Sequence, residues 1–210
     1  MTKKQKAVWF VQALEREYPD AVCSLDYERP YELLISVRLA AQCTDARVNI
    51  VTQDLFVEYP TLESFAKADP ARLADSIRPC GLGNTKARDI VGTANMLLEV
   101  YGGTVPDTME DLLKLPGVGR KTANLILGDV YKKPAVVCDT HCIRITNLLG
   151  LADSKNPDIC ERQLRDVLPM DKASDFCHRL VIHGRAVCKA RSPQCADCCM
   201  SRHCAGASRS

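Results

Sequence analysis

Apolar side chains recur along this chain at intervals of three and four residues, the spacing of helices with one buried face. Phe10, Val11, Leu14 and Tyr18 form one such stripe, closed by Pro19. Pro30 opens YELLISVRLAAQ, in which Leu33, Leu34, Val37 and Ala41 share a face. Asp69 before Pro70 reads as a cap followed by a first-turn proline, and Leu73 and Ile77 carry that helix to Pro79. Beyond GLGN, residues Ile90, Ala94, Leu97, Leu98 and Tyr101 mark a longer helix that Gly102 and Gly103 stop. Thr108 caps a short segment, EDLLK, which runs toward Pro116. Helix resumes from about Gly119 to Tyr131, and again from Asp139-Thr140 to Gly150. Two more helices fit residues 157–168 and 171–187. Only AVVC at 135–138 looks like a strand, and it is too short and isolated to build a sheet. The predicted class is all-α.

Composition adds bounds. With 210 residues, 46% hydrophobic and 26% charged, the chain can form one large domain or two modest ones, each with a real core. It holds no apolar run of the roughly 18 residues a membrane span needs. The opening MTKKQKAVWFVQALEREYP lacks the unbroken apolar stretch and small-residue cleavage site of a signal peptide, so a cytoplasmic protein is expected. The net charge of +2 is uninformative until it is located. Residues 172–210 carry seven lysines and arginines, Arg209 among them, against Asp175 and Asp197, while the rest of the chain is slightly acidic. A positive tail on an acidic body suits an anionic polymer, although a solvated surface explains it too.

The stretch LPGVGRKTANLIL, residues 115–127, poses a sharper question. Gly117 and Gly119 permit positive φ and let backbone approach a ligand with no Cβ in the way. The helix after them starts with unpaired N–H groups and a positive dipole end, which together hold a phosphate without reading bases. Yet it starts on Arg120 and Lys121, where the dipole makes cations unwelcome. Either both face an anion, or crowding of like charge favours the free amine of Lys121 and suits it to nucleophilic attack. Asp139, in VVCDTH, has a complete explanation as a helix cap. A capping carboxylate is also rigidly aimed, and could stabilise a developing sugar cation or move protons.

Twelve cysteines are unevenly spread. Cys23, Cys43, Cys80, Cys138, Cys142, Cys160 and Cys177 lie singly, mostly among apolar neighbours, and read as reduced core residues. The remainder crowd into CKARSPQCADCCMSRHC, where Cys188, Cys195, Cys198 and Cys204 give C-x6-C-x2-C-x5-C and Cys199 is left over. This spacing points to a metal centre. Only its middle interval is short, which favours an iron–sulfur cluster over a zinc ribbon with two knuckles, with zinc still open. Lys189 and Arg191 fall in the first loop, where a cluster would hold them rigidly enough to meet phosphates.

These motifs occur in one order, from ELLISVRLAAQCTDARVN through LPGVGRKTANLIL and VVCDTHCIRITN to the four cysteines. In this the chain resembles, over nearly its whole length, the endonuclease III family of helix-hairpin-helix DNA glycosylases. The resemblance implies two helical lobes with a DNA cleft between them. One is a six-helix, barrel-like domain over 23–133 that contains the hairpin. The other is a discontinuous [4Fe-4S] cluster domain over 1–22 and 134–210. It further implies Lys121 as nucleophile and Asp139 as catalytic carboxylate. Gln42, in AAQCTD, would fill the gap left by an extruded nucleotide, and Leu82, in CGLGNTK, would wedge the opposite stack. Asp45 and His141 match active-site neighbours. The implied partner is double-stranded DNA with damaged pyrimidines or abasic sites, met by a monomer associated with the nucleoid. The implied reaction is Lys121 attack on C1′, release of the base and β-elimination. Two other readings remain: a monofunctional adenine glycosylase, which ought to carry a hydroxyl residue at 121, and a non-catalytic DNA-binding protein. Cys43 and Cys199 have no assigned task.

Overall fold

The computed structural model of the chain describes residues 1–207; Arg209, counted above in the basic tail, lies outside them. Among the described residues there is no strand, and AVVC runs as a buried extended segment. Eleven α-helices are formed among them: α1 (Lys3–Glu17), α2 (Pro30–Ala40), α3 (Asp45–Glu58), α4 (Leu62–Ala66), α5 (Pro70–Ser76), α6 (Gly83–Tyr101), α7 (Met109–Leu112), α8 (Arg120–Asp129), α9 (Thr140–Leu148), α10 (Pro157–Val167) and α11 (Ala173–Ala186). The sequence pattern had not singled out α3 and α4, and it placed the start of α6 beyond GLGN, whereas the helix starts inside it at Gly83. No helix here is long and apolar enough to cross a membrane.

The chain divides into two compact units. One is continuous, Ser24–Tyr131. In the other, Met1–Cys23 joins the segment that begins at Lys132.

In the continuous unit α6 is the spine, with α4 and α5 packed along it and α2 against α3, α6 and α8. Phe65 is fully buried and is ringed by Tyr31, Phe56 and Tyr59. Removing one such aromatic side chain from water contributes about 2–3 kcal/mol. Gly102, at φ 58°, ends α6 in the left-handed conformation that glycine adopts without strain.

In the discontinuous unit α1 packs on α11 and α10, and α11 on α9. Thr2 and Gln5 start α1 with a reciprocal capping box, so the first helix has a defined beginning. Phe10 and Leu14 are fully buried with Phe176 and Leu180 in the same core. Lys172 pairs with Glu15 at 3.1 Å, and Arg179 Nε donates to the Tyr18 carbonyl at 3.1 Å, tying the two ends of the chain together.

Candidate functional site

The glycine hairpin between α7 and α8 is built by a tight turn. The Val118 N–H donates to the Leu115 carbonyl at 3.1 Å across Pro116 and Gly117, the latter at φ 71°. Proline followed by a left-handed glycine is the pattern of a type II turn. Thr93 Oγ1 on α6 donates to the Pro116 carbonyl at 2.9 Å, which pins the turn to the spine. Beneath it Arg38 and Asp89 form an ion pair, with both Nε and Nη2 reaching Asp89 Oδ2 at 2.6–2.7 Å. A Cβ on Gly117 would lie 2.7 Å from Arg38 Nε and 2.8 Å from Asp89 Oδ2. Gly117 is therefore required twice, by its φ and by this close approach.

Gly119 differs in that it does not use the positive φ that glycine permits. It is the N-cap of α8 at φ −102°, an ordinary extended conformation, and a Cβ on it would meet nothing within 4 Å. Neither backbone nor packing demands glycine at 119; what its missing Cβ leaves is open space at the start of α8. Gly119 has no side chain with which to cap that start, where the helix dipole is positive. Arg120 and Lys121 are both exposed on this first turn.

Two other sequence-predicted residues of the same unit carry left-handed backbone without being glycine: Gln42 at φ 60° and Leu82 at φ 53°. Both are exposed, Leu82 by 55%, which is unusual for so large an apolar side chain. Asp45 opens α3, and Ser24 Oγ donates to its Oδ2 at 2.5 Å.

In the discontinuous unit Asp139 is the N-cap of α9, with Oδ1 accepting from the Cys142 N–H at 2.6 Å. His141 follows in the first turn. A Cβ on Gly184 of α11 would lie 2.4 Å from His141 Nδ1, so Gly184 makes the room this ring occupies. Lys121 belongs to one unit and Asp139 and His141 to the other.

Cys188, Cys195, Cys198 and Cys204 line one cavity of about 80 Å³, together with Leu148, Val187 and Pro193. Cys199 does not line it, and burial pushes its thiol up to about 11. Among the described residues no three His, Cys, Asp or Glu side chains come together closely enough for a single metal ion. A zinc ion needs thiolate sulfurs only about 4 Å apart, whereas a four-iron cluster takes one thiolate per iron and keeps the sulfurs further apart. Neighbours hold these cysteines in place: Arg144 Nη2 donates to the Cys188 carbonyl at 2.7 Å, and Cys204 Sγ lies 3.7 Å from the Leu148 carbonyl. His183, fully buried, has Nε2 3.3 Å from Cys198 Sγ and Nδ1 3.0 Å from the Tyr18 hydroxyl. Lys189 and Arg191 are exposed in the loop between the first two cysteines.

Sequence reasoning missed His183, Arg144, Arg38 and Asp89, because each acts through a partner far along the chain. It also read four core cysteines as isolated. Cys138, Cys142, Cys160 and Cys177 lie near enough to influence one another, and Cys138, Cys177 and burial push the Cys142 thiol well up. They are reduced and buried, as expected, but they form a group.

With this geometry in view, the comparisons decide the family. A family model for HhH-GPD superfamily base excision DNA repair proteins matches residues 35–170. Endonuclease III of Synechocystis is 41% identical over 210 residues, covering 100% of this chain and 96% of that protein. The chain belongs to the endonuclease III family of the HhH-GPD superfamily. Endonuclease III of Bacillus subtilis is 41% identical over 182 residues, 86% of this chain and 83% of that protein. A solved structure of a trapped endonuclease III–DNA covalent intermediate, the estranged-adenine complex, superimposes with a TM-score of 0.92 at 38% identity, covering 100% of this chain and 99% of that one. The endonuclease III homologue described here is thus a base-excision-repair DNA glycosylase with abasic-site lyase activity, and the non-catalytic alternative falls away.

Proposed function

We propose that this glycosylase excises oxidised pyrimidines from double-stranded DNA by covalent catalysis at Lys121 and then cuts the strand at the abasic site. The carrying observation is the start of α8, where an exposed lysine follows an N-cap glycine that no fold requirement explains. A phosphate fits that opening, held by the N–H groups, the dipole and Arg120, an arrangement worth about 0.3–1 kcal/mol from the dipole alone. A target nucleotide inside a duplex is out of reach, so it is extruded, and lesions with weakened stacking cost less to extrude. Gln42 fills the vacated place and Leu82 enters the opposite stack.

Lys121 Nζ then attacks C1′, the glycosidic bond breaks and the base leaves with a proton. Opening of the sugar ring gives a protonated Schiff base, which acidifies the C2′ proton. Loss of that proton expels the 3′ phosphate oxygen by β-elimination, and hydrolysis returns the free amine. Asp139, aimed by its capping bond, stabilises the cationic sugar and helps move protons. His141 and Asp45 border the same chemistry. Lys189 and Arg191 contact phosphates. The partner being DNA, the protein works at the nucleoid.

Cys188, Cys195, Cys198 and Cys204 would hold a [4Fe-4S] cluster in this reading, as its thiolate ligands. The cluster's contribution is a structural cross-link of the 188–204 segment.

Borohydride trapping on a duplex with one abasic site tests the catalytic reading. The protein as it stands is expected to give a covalent adduct, and Lys121→Ala none. Tight DNA binding without any adduct from the unaltered protein overturns it.

A further inference from the structure

Lys86 is fully buried in the first turn of α6, a place where both burial and the helix dipole disfavour an ammonium. Its Nζ donates to three backbone carbonyls, Leu39, Ala41 and Cys80, each at 2.8 Å. Burial lowers its pKa, yet three acceptors call for three N–H donors, and only the protonated amine has three. The first two acceptors are at the end of α2, one residue before Gln42. The third closes the short 3₁₀ turn Arg78–Cys80, two residues before Leu82. Between the two segments the Cys80 thiol is pushed up to about 11, by burial first and then by the neighbouring Cys43. One cation thus joins the bases of the two loops whose exposed tips, Gln42 and Leu82, hold left-handed backbone without glycine. Such conformations cost about 1 kcal/mol or more and persist only where the surroundings enforce them.

We propose that Lys86 is a positioning residue for strand separation: it locks the Gln42 and Leu82 loops into one rigid two-pronged wedge, so that both enter the duplex together when a nucleotide is extruded. A merely structural lysine would stabilise the fold and leave insertion untouched. A positioning lysine sets the spacing and direction of both prongs, and losing it uncouples them while the active site keeps its chemistry. The inference rests on the roles of Gln42 and Leu82 given above.

The test uses the full protein with Lys86→Met and the milder Lys86→Gln, which retains two donors. The probe is a duplex with a tetrahydrofuran abasic analogue opposite 2-aminopurine, whose fluorescence rises when it is unstacked. At saturating protein the signal per bound duplex does not depend on the folded fraction, which only shifts the titration midpoint. The expected result is a rise about ten-fold smaller in Lys86→Met than in the unaltered protein, and an intermediate one in Lys86→Gln. If Lys86→Met does not fold, the reduced rise in Lys86→Gln carries the test. A full rise in whichever variant folds overturns the proposal. Borohydride trapping of the unaltered protein is run alongside: failure of that adduct sinks the catalytic reading, whereas a normal adduct with full rises in the variants sinks only the role of Lys86.

Discussion

Replacing Gly117 by alanine would ask a backbone at φ 71° to accept a Cβ within 3 Å of the Arg38–Asp89 ion pair. A loss of about 1–3 kcal/mol is expected, read as a lower thermal midpoint by circular dichroism. Gly119→Ala is the opposite case. With φ −102° and open space around it, its stability should stay within about 1 kcal/mol while affinity for duplex DNA falls about ten-fold. Unchanged affinity would show that no phosphate approaches that position. The sequence displayed both glycines equally and could not separate them, because their difference lies in what stands next to them. Lys121, Asp139 and the terminal cysteines could be singled out as candidates because local spacing marks them. Lys86, Arg38 and His183 were not, since each has a partner tens of residues away or more: 51 between Arg38 and Asp89, and 165 between His183 and Tyr18.

At the scale of elements, the cap of α9 separates two roles of one carboxylate. Asparagine caps a helix about as well as aspartate, so Asp139→Asn should melt within about 0.5 kcal/mol of the unaltered protein. Its single-turnover excision rate should nevertheless fall about 100-fold or more. Asp139→Ala should lose the activity and about 1 kcal/mol of stability as well. Equal excision by Asp139→Asn would reduce the residue to a cap. Most helices announced themselves by stripe and stop, but α3 did not. Val48, Val51, Thr52 and Leu55 are its buried face, while Ile50 and Val57 are exposed at 60% and 80%, so apolar residues surround the helix and blur the period. α2 lacks a usual capping residue. Glu32 bonds back to the Glu28 and Arg29 N–H groups instead, and only the fold reveals it. The start of α6 was hidden for a related reason: its N-cap is Leu82, in a conformation no leucine advertises.

For the whole molecule, two separate cores mean that damage to one need not unfold the other. Cys198→Ser protein is expected to lose its brown colour and iron, with faster amide exchange confined to residues 1–23 and those after 131. Protection in Ser24–Tyr131 should persist. Retained iron would remove Cys198 from the ligand set, and uniform loss of protection would show one cooperative unit. The helical class was legible from periodicity alone, whereas the discontinuity was not, since composition does not change where the chain leaves one unit and returns. That discontinuity bears on biosynthesis. α1 is synthesised long before α11, the helix it packs on, which begins only at Ala173. At typical elongation rates of about 5–20 residues per second, the amphipathic leader waits on the order of 10 s for its lid. A message cut short anywhere before that point yields a polypeptide with a bare greasy flank, a ready mark for quality-control proteases, so truncated repair enzyme is exposed to clearance before it can compete for lesions.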